Sequence, residues 1–165
     1  MFIPDKPEMR SFFVPYFEDA TGSEVAGKHT RKSQKALKEE IVVLISKLGG
    51  SAVVFTPGKY FGTPMRHGFR IEFNVSGIPA RIDAAALPIR VETLTKIDRA
   101  LAQCLYLVRD WMQSELNSLM YRPNVFPLIA FLVGAGGKTV TETLMESRML
   151  PDFDKYIALN IGGGE

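Results

Sequence analysis

The sequence is poor in the residues that build metal centres, disulfides and catalytic triads. Its 165 residues include one cysteine, Cys104, and two histidines, His29 and His67. One cysteine cannot form an internal disulfide, and one cysteine with two histidines is too few for a structural zinc site. Neither histidine has an acid placed as a Ser/His/Asp triad requires. We therefore expect no metal, no cofactor and no catalytic residue, although an enzyme of an unrecognised class stays open.

Long hydrophobic runs are also missing. The longest apolar stretch, residues 125–133, contains Pro127 and falls well short of the ~18 residues that a membrane span needs. The first ten residues lack the basic start and apolar run of a signal peptide. With 46% hydrophobic residues, the chain has enough apolar material to bury a core in one domain. We expect a cytoplasmic protein without a membrane partner.

Charge is present, but it is unevenly distributed. The chain as a whole carries a net charge of +2, whereas residues 28–90 hold eleven Lys or Arg and four Asp or Glu, a net +7. Residues 1–27 carry −3 and residues 91–165 carry −2. Clustered cations repel each other unless something compensates them, so a basic middle indicates a surface for a polyanion.

Hydrophobic periodicity predicts a helix over residues 33–48 followed by strands. The apolar residues of the helix are spaced to form one stripe: Leu37, Ile41, Leu44, Ile45 and Leu48. Gly49 and Gly50 then end it. Residues 52–56 form a short apolar run, residues 69–75 alternate in polarity, and residues 78–83 return after the turn signal Ser76-Gly77. This order predicts an antiparallel three-stranded meander.

Between the first two strand-like runs we predict a loop that combines rings and cations. It covers residues 57–68, with the sequence PGKYFGTPMRHG. Single-stranded nucleic acid is bound by aromatic side chains that stack bases and by cations that follow phosphates, so the loop indicates such a ligand. The competing interpretation is that Tyr60 and Phe61 only pin the loop to the core.

A second, longer helix is predicted to begin after Thr93 or Thr95 and to run to about Met120. Its expected apolar side includes Leu94, with Trp111 adjacent, and Cys104 lies on it as a core residue. Residues 125–133 fit a buried strand or a short apolar helix equally well. Thr139 and Glu142 form a capping box that opens a last helix, predicted to reach about Arg148.

Together these elements predict an α+β fold: a three-stranded antiparallel meander packed against a first helix and a long central helix, with a C-terminal helical appendage. We divide the chain into an extended N-terminal arm (residues 1–30), a single α+β domain (31–150) and a C-terminal tail (151–165). The arm carries Phe12, Phe13, Tyr16 and Phe17, which either cover the core or dock on a partner.

Two motifs that resemble enzyme signatures fail on inspection. The run from Val133 to Thr139 ends in Lys-Thr like a phosphate-binding loop, but Leu132 stands where the first glycine is required. The acids nearest the basic region, Glu72, Asp83 and Glu92, lack the lysine two residues on that a restriction-type nuclease would need. Glu72 and Asp83 fit better as cross-strand ion-pair partners of arginines on the neighbouring strand.

The order of these motifs resembles that of a family of small uncharacterised proteins of bacterial phages and integrated mobile elements. The shared features are a helix ending in L-G-G, a short strand, an F-R-I-E-F strand, a G-x-P-A-R return strand, a long Arg-bearing helix and G-G-K-T-V-T-E-T-L. The resemblance covers residues 33–150 and implies a role in DNA or RNA transactions or in interference with host factors. It assigns no functional residues.

The leading functional hypothesis is non-catalytic, sequence-tolerant nucleic-acid binding in replication or recombination of a mobile element, with a single strand of DNA or RNA as the favoured ligand. The residues expected to contact it are Lys28, Arg31, Lys32, Lys35, Lys38, Lys59, Tyr60, Phe61, Arg66 and Arg70. The alternative is a protein-interaction module, a phage-derived inhibitor or an assembly subunit, with a protein partner or a second copy bound through the aromatic arm and the apolar tail. The tail residues in question are Phe153, Tyr156, Ile157, Leu159 and Ile161.

Overall fold

The structure is a computed structural model that describes residues 14–22, 25–122 and 126–146. Its elements follow in the order α1 (Gln34–Lys47), β1 (Gly50–Tyr60), β2 (Arg66–Val75), β3 (Ile78–Ala85), α2 (Leu94–Ser118), a 3₁₀ turn (Ile129–Phe131) and α3 (Val140–Glu146). The strands form one antiparallel sheet in the order β1-β2-β3, in contact with both α1 and α2. The predicted α+β meander is confirmed.

Helix α1 forms where the apolar periodicity predicted it. The Ser33 side chain accepts a hydrogen bond from the Ala36 amide and caps the N-terminus. All five residues of the predicted stripe are buried, and Gly49 follows the helix with φ 93°, a conformation that glycine adopts at little cost. The helix therefore buries its whole apolar stripe in the core, where it packs against β1 and α2.

The sheet has a buried face and an outer face, as the alternation in β2 predicted. Phe69, Ile71, Phe73 and Val75 are all buried in one cluster with α1 and α2, and the intervening side chains lie on the opposite face. The turn from β2 to β3 uses Ser76 and Gly77, both with positive φ, as a two-residue hairpin requires.

The predicted loop over residues 57–68 is wrong for most of its length. β1 continues to Tyr60 and β2 starts at Arg66, so only residues 61–65 form the turn. Pro57 is tolerated because, within the described residues, β1 pairs on one side only and a proline on an edge strand leaves few ladder hydrogen bonds unmade. Tyr60 and Arg66 are thus strand residues facing each other across the sheet.

Helix α2 starts at the Thr93 cap and buries Ala102, Leu105 and Met112 in the core. One detail of the prediction is wrong: Leu94 is 87% exposed, because it stands in the first turn and burial in α2 begins only at Ala100. Trp111, predicted adjacent to the apolar side, is 42% exposed and packs edge-on against Phe131. Cys104 is buried, in keeping with the predicted core position.

The C-terminal segment wraps over β3. Leu132 forms an isolated antiparallel bridge with Ala80, so residues 125–133, as far as they are described, form a 3₁₀ turn and a bridge rather than a regular strand or helix. The capping box is confirmed, since Thr139 and Glu142 each accept a hydrogen bond from the amide of the other. The predicted end of the last helix near residue 148 and the tail lie outside the described residues.

The described part of the N-terminal segment packs on the body. Phe17 donates its amide to the Pro88 carbonyl at 2.8 Å and joins a small cluster with Ala86, Ala100 and Cys104. The Arg90 guanidinium stacks over the Tyr16 ring at 4.7 Å. For Tyr16 and Phe17, the interpretation of the arm as a cover for the core therefore fits. Phe12 and Phe13 lie outside the described residues. Across the described ranges, no helix is long and apolar enough to cross a membrane.

Candidate nucleic-acid interface

Helix α1 runs antiparallel to β1, and this direction decides which cations meet. Near its C-terminal end, Ile45 fits so closely over Gly50 that a Cβ there would lie 2.4 Å from the Ile45 side chain. Near its N-terminal end, the Lys38 ammonium lies 4.7 Å from the centre of the Phe69 ring. The N-terminal half of α1 therefore points to the end of the sheet where β1 turns into β2.

Four of the predicted residues belong to the chain segments at that end, and we call them the cationic surface: Arg31 just before α1, Lys35 and Lys38 in its first half, and Lys59 near the end of β1. Lys59 lies opposite His67, two residue pairs beyond Pro57 and the buried Phe69, and side chains alternate along a strand. Its side chain is therefore on the face that α1 covers. Arg31, Lys35 and Lys59 are exposed, and among the described residues none of the four forms an ion pair.

Lys38 is held differently from its neighbours. Its ammonium lies over two rings, 4.7 Å from the centre of Phe69 and 5.7 Å from that of Phe55, and it is half-buried. Cation–π contact fixes the side chain without neutralising it. The first turn of α1 holds no acid, so the positive end of the helix dipole adds to these charges.

Lys28 and Lys32, by contrast, already have partners. The Lys28 ammonium lies 3.6 Å over the Phe17 ring and donates to the Phe17 carbonyl oxygen, and burial lowers its pKa. Lys32 pairs with Glu40 at 2.5 Å, and Glu40 also pairs with Arg109 at 2.9 Å. The hydrogen bond from Lys32 lowers the pKa of Glu40, so this carboxylate stays charged. Lys32 is therefore neutralised, and Lys28 is held on the N-terminal segment by Phe17, so neither belongs to the cationic surface.

Arg70 lies on the outer face of the sheet, away from α1. It forms an ion pair with Asp83 on β3, with 2.8 Å from Nε to Oδ1. Arg81 Nε lies 3.3 Å from the other carboxylate oxygen of Asp83. Burial opposes ionisation of Asp83, but the hydrogen bonds from Arg70 and Tyr60 and the nearby arginine charges outweigh it, so the pKa falls below its usual value. Arg70 is therefore neutralised, as the cross-strand pairing predicted.

Tyr60 and Arg66 are also engaged on the outer face. The Tyr60 hydroxyl is 2.9 Å from the Phe69 carbonyl and 3.0 Å from Asp83, and its ring lies over Gly68. Burial, with the Asp83 charge, raises the pKa of Tyr60 to about 12. Arg66 donates from Nε to the Ala86 carbonyl at 2.7 Å and from Nη2 to the Ala85 carbonyl at 2.9 Å. Tyr60 therefore ties β1 to β2 and β3, and Arg66 ties β2 to the end of β3 and the chain that follows it.

Phe61 is the only one of the ten whose ring is almost fully in solvent, at 93% exposure. It begins the turn between β1 and β2, at the same end of the sheet as the cationic surface. The interpretation that Tyr60 and Phe61 both pin the loop thus fits Tyr60 only. Lys59 shares a face of the sheet with the α1 cations, whereas Arg66 and Arg70 lie on the opposite face, so the structure divides the second basic stretch between the two faces.

Sequence reasoning missed several of the acids that form ion pairs with these cations. Glu40 takes Lys32 and Arg109, and Glu142 takes Arg81 at 2.5 Å from a segment 61 residues further along the chain. Glu72, expected to pair with Arg81 directly opposite, forms no ion pair in the described part of the chain. Helical spacing does not predict the Lys32–Glu40 pair, because Lys32 stands before the Ser33 cap, and the Arg81–Glu142 pair depends on the path of the C-terminal segment.

The residues of the two rejected enzyme motifs are held in contacts within the fold. Thr139 is buried in its capping box, and Lys138 pairs with Glu146. Asp83 forms ion pairs with Arg70 and Arg81, and Glu92 contacts His67 at 2.8 Å. In the described ranges, no group of three or more His, Cys, Asp or Glu residues is placed to hold a metal ion.

No protein-family model matches the chain, and neither a curated protein nor a solved structure is significantly similar to it. The layout resemblance to proteins of phages and integrated elements stays a prediction.

Proposed function

We propose that this protein binds single-stranded nucleic acid, without catalysis and without strong sequence preference, through the cationic surface. The observation that carries the proposal is a set of unpaired cations on two chain segments that lie at the same end of the sheet. Arg31 directly precedes α1, Lys35 and Lys38 lie in its first half, and Lys59 lies at the end of β1. Of the other candidate cations, acids pair with Lys32 and Arg70, whereas Lys28 and Arg66 are held by backbone carbonyls. A fold gains no stability from such a group, because like charges repel and oppose the helix dipole.

The ligand fits a nucleic acid better than a small anion. The charges follow the N-terminal half of α1 and continue onto β1, which matches a backbone with repeated phosphates. Three of the four side chains are lysines, which contact phosphates as point charges with little demand on geometry, and phosphate contacts carry no sequence information. We therefore infer tolerance of sequence. The resemblance to proteins of mobile elements favours replication or recombination as the setting.

The test is fluorescence anisotropy with a labelled oligothymidylate. In single-strand binding, each phosphate contact contributes a factor of about 5 in affinity at 0.1 M salt, from a salt exponent of ~0.7 per contact. The double variant Lys35→Gln/Lys59→Gln is expected to bind about 25-fold more weakly than the native protein at this salt concentration. Both residues are exposed and unpaired, so the fold should tolerate the change.

Lys47→Gln is the matched control. Lys47 is also an exposed, unpaired lysine of α1, but it lies at the opposite end of the helix. Its replacement should change affinity less than twofold. A loss of about 5-fold in the control, the factor for one charge wherever it lies, would mean that net charge alone drives binding. No binding by the native protein at low salt would refute the proposal.

The alternative function, a protein-interaction module, depends mainly on residues outside those described. Its described aromatic residues, Tyr16 and Phe17, are occupied by Arg90, Lys28 and the chain before α2. We therefore place nucleic-acid binding first. Light scattering of the full chain and of a variant that lacks the first 13 residues tests the alternative, which predicts self-association or a partner that depends on that segment.

A further inference from the structure

A cavity of about 620 Å³ opens beside the turn between β1 and β2, on the outer face of the sheet. Its walls include Tyr60, Phe61, Pro64, Asp83 and Pro88. The volume falls in the range of ligand sites, which run from about 300 to 1,000 Å³, and the mixture of rings with a few polar groups is typical of them. The cavity lies at the same end of the sheet as the cationic surface, so one extended ligand could reach both.

Phe61 and Tyr60 have different roles at this cavity. The Tyr60 ring is a fixed wall, because its hydroxyl is bonded to Phe69 and Asp83 and its ring lies against Gly68. Phe61 is 93% exposed, so its ring has both faces available for contact. A ring left in solvent gains nothing for the fold, whereas it would gain contact area from a planar ligand.

The charged groups of the cavity are already committed within the protein. Asp83 pairs with Arg70 and accepts from Tyr60, and Arg66, which also lines the cavity, uses Nε and Nη2 on backbone carbonyls. A site that reads one base would need donors and acceptors free to pair with it. These groups provide shape and a stacking surface instead, which suits any base.

We propose that this cavity takes one unstacked base of the bound strand, with Phe61 as the stacking surface. The inference rests on the proposed function and narrows its ligand to strands with exposed bases. Lys59 lies two residues before Phe61, on the other face of the sheet, so the phosphates follow the cationic surface while a base turns over the β1–β2 turn into the cavity. Duplexes, whose bases are stacked and paired, cannot make this contact.

The experiment compares oligothymidylate with an oligomer of the same length in which every nucleotide is abasic, so that only the sugar–phosphate chain remains. Stacking of one base contributes ~1–3 kcal/mol, which corresponds to about 5- to 150-fold in affinity. The native protein is expected to bind the thymidylate tighter by a factor in that range. Phe61→Ala should bind both oligomers equally, with the abasic affinity unchanged.

Two controls make the result specific to the cavity. Tyr121→Ala removes another ring, 83% exposed and placed after α2, and should keep the native preference for bases. Lys59→Gln should weaken both oligomers equally and keep their ratio. Equal binding of the two oligomers by the native protein, or a preference retained in Phe61→Ala, would overturn the inference and leave the proposed function standing. Binding of neither oligomer would overturn both.

Discussion

Lys59 and Arg70 offer a sharp comparison, because they are both basic strand residues but lie on opposite faces of the sheet. Lys59 is exposed, unpaired and on the face that α1 covers, whereas Arg70 is bound to Asp83 on the outer face. We predict that Lys59→Gln weakens nucleic-acid binding without loss of stability. Arg70→Gln should do the reverse.

The magnitudes follow from these partners. Lys59→Gln removes one phosphate contact, a factor of about 5 in affinity at 0.1 M salt. With no partner in the protein, its effect on the free energy of unfolding should stay within about 0.5 kcal/mol. Arg70→Gln breaks a pair that is partly open to solvent, so a loss of about 0.5–1 kcal/mol is expected. Its affinity should change less than twofold, since the Arg70–Asp83 pair presents little net charge.

The assays are anisotropy with oligothymidylate for binding and urea unfolding for stability, both at the same pH and salt concentration. Glutamine at both positions keeps the side chain polar and similar in length, so packing changes are matched. If Arg70→Gln weakens binding as much as Lys59→Gln, the ligand contacts both faces of the sheet. The assignment of the interface to the unpaired cations of one face would then be wrong.

Three further predictions concern the contacts that hold the fold around this surface. Burial raises the pKa of Glu18, but hydrogen bonds from the backbone before α2 and from Lys96 outweigh it and lower the pKa to about 2. The ionised Glu18 therefore stabilises the fold above pH 4.5, and this stabilisation is lost as the pH falls toward 2. The Tm values of the native and Glu18→Gln proteins should converge at low pH. Glu142→Gln removes the carboxylate that pairs with Arg81 and closes the capping box, so hydrogen exchange in α3 should speed up by about 5- to 30-fold, from ~1–2 kcal/mol of local stability, with β2 unchanged. Leu105→Ala opens a hole in the main core, where Leu105 is fully buried, and should lower the free energy of unfolding by about 2–5 kcal/mol in urea.

Much of the fold could be predicted because its hydrophobic periods are regular. The stripe of α1 and the alternation of β2 each gave the buried face correctly, and the glycines at 49 and 77 marked real turns. The extent of β1 could not be predicted, since Pro57 and Gly58 usually signal a loop. They are tolerated in this strand because it lies at the edge of the sheet and Tyr60 covers the neighbouring Gly68.

The candidate site was only partly predictable. The sequence identified the basic stretches, but which cations stay unpaired depends on acids brought close by the fold. Lys32 meets Glu40 from just before α1, and Arg70 meets Asp83 by strand register, whereas Arg81 meets Glu142 only because the C-terminal segment crosses β3. Exposure of Phe61 likewise depends on where the strand ends. The composition gives the number of charged residues, whereas the tertiary structure determines which of the cations have no acidic partner.

The dependence of binding on salt tests the central claim most directly. With four contacts, the logarithm of the association constant should fall against the logarithm of salt concentration with a slope of about −2.8, or about 50-fold between 50 and 200 mM. The Lys35→Gln/Lys59→Gln variant should halve that slope to about −1.4, and Lys47→Gln should leave it unchanged. A native slope near zero, or the same slope in the double variant, would contradict the account.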